Sequence, residues 1–201
     1  ETDRFVDEIV VVCREEEIEY CRREIVKKYG FKKVMKIVKG GKERQDSVYN
    51  GLMALDKKCD MVLIHDGARP FVKVESIEAG IKGVEENGAC IIGVPVKDTI
   101  KLIKDECIIE NTPDRRFIWA AQTPQCFFYD IIMKAYRQAV EDQFIGTDDG
   151  MLVERLGYKV KMIMGDYNNI KITTPEDLII AESIVKEKDF IYMKNLIFRT
   201  R

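Results

Sequence analysis

The sequence contains a single histidine, His65, among 201 residues, so a histidine-based catalytic dyad is excluded unless His65 itself serves. It has no C-x-x-C pair. Six cysteines (Cys13, Cys21, Cys59, Cys90, Cys107 and Cys126) are scattered, most of them within apolar patterns, which argues against a zinc site and for reduced, hydrophobic thiols. No apolar run approaches the length of a membrane span, and Glu1-Thr2-Asp3-Arg4 lacks the order of a signal peptide, so the expected location is cytoplasmic, away from membranes. An excess of one charge is missing too: 33 Lys and Arg stand against 35 Asp and Glu, and a net charge of -2 offers nucleic acid no general attraction. Repeats and low-complexity stretches are absent. What is present is 46% hydrophobic and 34% charged, the composition of a soluble globular chain. At this length one domain over residues 1–201 can bury a core without staples.

The organising stretch is Met61-Val62-Leu63-Ile64-His65-Asp66-Gly67-Ala68-Arg69-Pro70. Its four apolar residues are too few for a helix and read as a strand buried on both faces; the six that follow turn polar, small and chain-breaking. Around it the pattern alternates. A strand is expected at Glu8 to Val12, a helix from Ile18 to Gly30, a strand at Val34 to Val38 and a helix with the stripe Val48, Leu52 and Leu55. Further on come helix Val74 to Glu86, strand Ala89 to Val94, a helix through Ile131 to Ala139, and one opened by Gly146-Thr147-Asp148-Asp149. Strands at Tyr158 to Ile163 and Asn169 to Thr173 and a last helix from Thr174-Pro175-Glu176-Asp177 complete the chain. This rhythm predicts an α/β fold: a doubly wound, mostly parallel sheet with helices on both faces. Residues 97–116 interrupt it with two strand-like runs around Asp105-Glu106, a β-hairpin inserted into the fold. An isolated hairpin is marginal in water, so this one needs a surface to pack on, either its own domain or a second subunit.

Ligands of open parallel sheets collect beyond the carboxyl ends of strands. The residues expected there are Gly40, Gly41, Arg44 and Ser47; Asp66, Ala68 and Arg69; Thr99, Lys101 and Arg115; Thr123; Thr147; and Lys171. Cations and hydroxyls dominate, which suits a phosphorylated ligand. No nucleophile with its base is among them. That fits nucleotidyl transfer, because a phosphate monoester is largely a dianion at neutral pH and attacks phosphorus without a general base. Asp66 could hold a magnesium ion, and Arg69 could fork onto a phosphate. Singly, each feature also has a purely structural reading: an Asp66–Arg69 pair capping a turn, Gly40-Gly41 as a turn, Ser47 and Thr147 near helix starts, Lys171 as an edge charge.

Seven stretches together carry a resemblance: Gly40-Gly41-Lys42-Glu43-Arg44-Gln45-Asp46-Ser47-Val48; His65-Asp66-Gly67-Ala68-Arg69-Pro70; Pro95-Val96-Lys97-Asp98-Thr99; Pro113-Asp114-Arg115; Trp119 with Gln122-Thr123-Pro124-Gln125; Thr147-Asp148-Asp149; and Asn169-Ile170-Lys171-Ile172-Thr173 with Pro175-Glu176-Asp177. In this order the chain resembles the 2-C-methyl-D-erythritol 4-phosphate cytidylyltransferase family of non-mevalonate isoprenoid synthesis. The resemblance implies CTP and a sugar-alcohol phosphate as substrates, magnesium as cofactor, and transfer of CMP with release of pyrophosphate. By motif position it implies that Gly40, Gly41, Arg44, Ser47 and Ala68 help hold the cytidine nucleotide, and that Asp66 lies near metal and triphosphate. Arg69, Thr123, Thr147 and Lys171 would line the acceptor pocket, Asp66, Arg69 and Lys171 being the catalytic set. It further implies a homodimer in which residues 97–116 reach across, so that Thr99, Lys101 and Arg115 complete the partner's site. The family also has an N-terminal strand and a glycine-rich loop with an arginine, and no G-x-G-x-R occurs in these residues. The expectation is that a segment carrying them precedes Glu1. Two other readings stay open, a ribitol 5-phosphate cytidylyltransferase and a non-catalytic nucleotide-binding homologue.

Overall fold

The structure, a computed structural model, describes residues 4–56 and 58–198, with side chains up to residue 186. Strands β1 (Ile9–Cys13) and β2 (Val34–Lys39) pair in parallel. The helical run between them is a 3-10 turn Glu15–Glu17, a turn of α-helix α1 (Ile18–Tyr20) and a π-helical stretch Cys21–Lys27. Gly30 then turns the chain at φ +67°, where a side chain would be strained. Helix α2 (Arg44–Ala54) starts in a capping box, the Glu43 N–H donating to Asp46 Oδ2 at 3.0 Å. It is followed by β3 (Met61–Ile64), α3 (Val74–Asn87) and β4 (Ala89–Pro95). The hairpin is β5 (Leu102–Ile103) against β6 (Ile109–Asn111), shorter than the sequence suggested. Then come β7 (Trp119–Phe128), α4 (Tyr129–Glu141), α5 (Asp149–Arg155), β8 (Lys161–Met164) and α6 (Pro175–Phe198).

The main sheet has the order β3-β7-β4-β8. β3, β4 and β8 point the same way and β7 runs against them. Helices cover both faces, as the alternating pattern required. Phe127 is fully buried on the face shared with Leu52 of α2, Ile132 and Tyr136 of α4, and Val153 of α5. Its neighbour Cys126 points the other way, with Cys90 and Val84, under α3. That helix lies close to the sheet because two of its residues are glycines: a Cβ on Gly80 would meet Cys126 Sγ at 2.6 Å, and one on Gly83 would meet Cys90 Sγ at 2.7 Å. Truncating Phe127 to alanine would cost about 3–5 kcal/mol through lost transfer energy and the cavity left behind.

Two expectations are corrected here. Trp119–Phe128 reads in the sequence only as a motif, yet it is the longest strand and the centre of the sheet. Pro124 disguised it, since proline belongs to edges and bulges. The chain accommodates it where the pairing with β4 shifts between Ile91 and Gly93, and the Thr123–Pro124 bond is cis. Asn169 to Thr173, expected as a strand, is irregular, tied down by the Ile172 N–H donating to the Ala68 carbonyl at 2.8 Å.

Candidate active site

Asp66 follows β3 directly, and cations from three segments converge on its carboxylate. Arg44, the first residue of α2, donates its Nε–H to Oδ1 at 3.1 Å. Lys171, from the irregular segment, approaches Oδ2 at 2.9 Å. Arg69 Nε lies 4.0 Å from the same oxygen, too far for a hydrogen bond, and its NH1 donates to the Asn169 carbonyl at 2.8 Å. Burial alone would raise the Asp66 pKa, but the Lys171 and Arg44 contacts outweigh it and hold the carboxyl below its usual range. Asp66 is therefore ionised at neutral pH. Arg44 has a second carboxylate behind it: NH1 and NH2 donate in parallel to Asp149 at 3.1 and 2.8 Å, and Asp149 has no exposed surface. Three cations and two carboxylates leave one net positive charge at the end of β3, suited to an anionic ligand.

His65 organises the same turn. Its Nε2 faces the Arg69 carbonyl at 2.9 Å, an atom that can only accept, so Nε2 carries the proton. Nδ1 then accepts from the Thr123 hydroxyl at 2.9 Å, and Thr123 Oγ1 in turn accepts the Asp66 N–H at 3.1 Å. Desolvation lowers the pKa of the ring, which keeps it neutral and in this tautomer. Thr123, its proton spent on His65, has one lone pair to offer a ligand. A hydroxyl suits that better than a phosphate oxygen.

Gly40, Gly41 and Ser47 line a separate cleft of about 550 Å³ at the carboxyl ends of β1 and β2, with Arg14, Glu15 and Lys39 on its other wall. Ser47 braces the loop: its hydroxyl accepts the Gly41 N–H at 3.0 Å and donates to the Glu43 carbonyl at 3.1 Å. A Cβ on Gly41 would stand 2.1 Å from that of Asp46, and one on Gly40 would stand 2.9 Å from Ser47 Oγ. Both glycines are thus required by the start of α2 itself. Ala68 sits beside Lys171 through the bond from Ile172.

The remaining residues named from sequence lie apart. Thr147, exposed ahead of α5, contacts Met151 Sδ at 3.5 Å through both its N–H and its hydroxyl. Thr99 is exposed, Lys101 donates to Thr112 Oγ1 at 2.9 Å and Arg115 donates to the Lys97 carbonyl at 3.0 Å. Among the described residues no hydrogen bond or ion pair links this arm to the Asp66 cluster. The sequence reading missed Asp149, Tyr136 and Asn169. Asp149 looked like a helix-dipole acid, and the available signal was its redundancy: Asp148 alone caps α5, accepting the Met151 N–H at 2.9 Å. Asn169 is buried and donates to the Thr123 carbonyl at 2.9 Å, joining the Lys171 segment to β7.

Residues 1–187 match the family model for 2-C-methyl-D-erythritol 4-phosphate cytidylyltransferase. The protein of that name from Caldanaerobacter subterraneus subsp. tengcongensis is 54% identical over 183 residues, 91% of this chain and 81% of its own length. Its counterpart from Clostridioides difficile is 56% identical over 180 residues, 90% of this chain and 75% of the relative. Among solved structures, the 4-diphosphocytidyl-2C-methyl-D-erythritol synthase of Anaerococcus prevotii superposes with a TM-score of 0.85 at 36% identity, covering 92% of this chain and 81% of that one. A match along nearly the whole chain, in sequence and in fold together, places it in the 2-C-methyl-D-erythritol 4-phosphate cytidylyltransferase family.

Proposed function

We propose that the protein transfers CMP from CTP to 2-C-methyl-D-erythritol 4-phosphate with release of pyrophosphate, in the cytoplasm and as a homodimer. The observation that carries the reading is the convergence of Arg44, Arg69 and Lys171 on one ionised Asp66 at the end of a buried strand. The phosphate of the acceptor, already a dianion, forms a bond to the α-phosphorus of CTP as the bond to the β-phosphoryl oxygen breaks. No proton need be removed from the nucleophile. The work of the protein is therefore to hold two anions together and neutralise them. Lys171 and Arg69 supply positive charge for the acceptor, while Thr123 takes one of its hydroxyls. The cleft at Gly40, Gly41 and Ser47 suits the cytidine, with Arg44 and Ala68 between the two halves.

Magnesium is the cofactor the family resemblance implies, and the donor set fits it. Asp66 is an ionised carboxylate with lone pairs beyond those given to Arg44 and Lys171. Among the described residues no group of three or more His, Cys, Asp or Glu gathers to cage an ion. Magnesium, which keeps waters and binds through one or two carboxylates plus substrate phosphates, suits such a site. When bound it supplies charge neutralisation on the triphosphate.

The dimer reading rests on the arm of residues 97–116, where Leu102, Ile103, Ile108 and Ile109 are exposed, with exposed Phe117 directly after it. A partner covering them would bring Thr99, Lys101 and Arg115 to its own cleft, leaving a single nucleotidyltransferase domain per chain. The cytoplasmic reading rests on six free cysteines, which suit a reducing compartment, and no helix of the described residues is long and apolar enough to cross a membrane. The test is turnover by purified full-length protein with CTP and magnesium, offering methylerythritol phosphate and ribitol 5-phosphate in parallel. Preference for the first is expected. Preference for the second, or no pyrophosphate with either, overturns the assignment.

A further inference from the structure

Asp149 has no exposed surface, so it touches neither substrate, yet it makes three charge-assisted hydrogen bonds. Two come from the fork of Arg44 and the third from the Tyr136 hydroxyl, which donates to Oδ1. The acid is braced from three elements. Tyr136 of α4 stacks on Tyr49 of α2 with ring centroids 5.8 Å apart. Gln125 of β7 donates to Asp148 Oδ2 at 2.8 Å and accepts the Gly150 N–H at 2.9 Å, which locks the start of α5 to the sheet. An acid held this firmly fixes the plane of the guanidinium it binds. With its NH1–NH2 end turned to Asp149, Arg44 meets Asp66 from its side, through the Nε–H at 3.1 Å on Oδ1, and Oδ2 stays turned toward Lys171 at 2.9 Å.

A free guanidinium fork would bind a carboxylate with two parallel bonds, in preference to one. Without Asp149, Arg44 would take both oxygens of Asp66 and turn its carboxylate away from Lys171. We propose that Asp149 is a positioning residue for the transfer reaction, acting on Asp66 through Arg44, which it holds back from a bidentate embrace of that carboxylate. This rests on the transfer reading above. It differs from ordinary core stabilisation in what it changes: the orientation of Asp66 in folded molecules, as well as the fraction that folds.

The test uses Asp149→Asn, which keeps the shape and removes the charge, in full-length protein with kinetics normalised to the folded fraction from thermal unfolding. A loss of about 10- to 100-fold in kcat is expected, with KM for CTP moving less than about threefold. Arg44→Lys should lose a similar factor, because one ammonium cannot serve both acids, and the double variant should be no worse than Arg44→Lys alone. Tyr136→Phe, which leaves the fork in place, should cost less than about threefold in kcat. In a proton–nitrogen correlation spectrum the Arg44 Nε–Hε signal should shift in Asp149→Asn as it does in Asp66→Asn. A kcat per folded molecule within about threefold of the parent in Asp149→Asn, or losses that multiply, overturns the proposal. If Asp149→Asn does not fold, full kcat in Arg44→Lys does the same. A parent without transfer activity sinks the transfer reading instead, and an unmoved Arg44 signal in Asp149→Asn then overturns the proposal independently.

Discussion

The cluster around Asp66 and the arm of residues 97–116 are built in opposite ways. In the cluster each cation is held by a partner from a distant part of the chain: Arg44 by Asp66 and Asp149, Lys171 by Asp66, Arg69 by the Asn169 carbonyl. In the arm the polar contacts are local, such as Lys101 to Thr112 and Arg115 to Lys97, and the apolar residues are left exposed. Long-range bonds hold a geometry before any ligand arrives, since the cost of ordering the groups is met by folding. Local bonds on an exposed two-stranded hairpin do not. The Asp66 cluster can therefore be read from one chain, whereas the apolar side chains of the arm stand exposed on it.

The sharpest way to break that contrast is Asp66→Asn. It removes the charge on which three cations converge and changes little volume, so turnover should fall by about 100-fold or more with a stability loss of only about 1–2 kcal/mol. Steady-state kinetics beside chemical denaturation checks it. Unchanged turnover under magnesium would mean that the Asp66 cluster is braced for stability alone. Gly41→Ala acts on the neighbouring cleft through its backbone: the added Cβ meets Asp46 at 2.1 Å, so the loop and the start of α2 must move apart. A stability loss of about 1–3 kcal/mol and a raised KM for CTP are expected. Native-like values for both would show the loop to be pliant.

The arm side is sharpened by complementation. Arg69→Ala and Arg115→Ala should each be inactive alone. Mixed in equal amounts with subunit exchange, they should recover about a quarter of parental turnover, because half of the dimers are hybrids and each hybrid has one intact site of two. No recovery after exchange is verified by mass would confine both arginines to one chain. Leu102→Asp should shift the molecular mass in light scattering toward monomer while leaving the far-ultraviolet circular dichroism unchanged, because Leu102 belongs to none of the chain's core clusters.

The same contrast governs what could be read from sequence. The alternation of apolar runs sufficed for the α/β class; of the strand Met61–Ile64, read as buried on both faces, Val62 and Ile64 are buried on one face and Met61 and Leu63 on the other are half-buried. Asp66 and Arg69 were legible as the polar residues that follow the apolar run Met61–Ile64, whereas Lys171 was named from a strand that the structure shows to be irregular. Asp149 was not, because burial of a charge is decided by Arg44, 105 residues away, and nothing local to Thr147-Asp148-Asp149 announces that distant partner. β7 was hidden by Pro124 for a similar reason: the shifted pairing that tolerates it is formed with β4, outside the reach of local propensity.

The smallest effect expected is in pH dependence, and it isolates the bracing of the Asp66 turn from everything in the arm, which has no histidine. His65, the sole histidine, is neutral in the fold, where its Nε2–H donates to Arg69 and its Nδ1 accepts from Thr123. Its pKa in the fold is lowered by desolvation, so the unfolded chain takes up a proton first as pH falls. Stability from this group is complete above the unfolded value of about 6.5 and declines as pH drops below it toward the folded pKa. Protonation also reverses the bond to Thr123, since Nδ1 then donates, and the hydroxyl proton must find another acceptor. Chemical denaturation between neutral and mildly acid pH should therefore show a downward slope in the parent that His65→Gln flattens. Equal slopes in the two proteins would mean that His65 is as free to protonate in the fold as in the unfolded chain. The hydrogen-bond relay from Arg69 through His65 and Thr123 to the Asp66 backbone would then not be what fixes this turn.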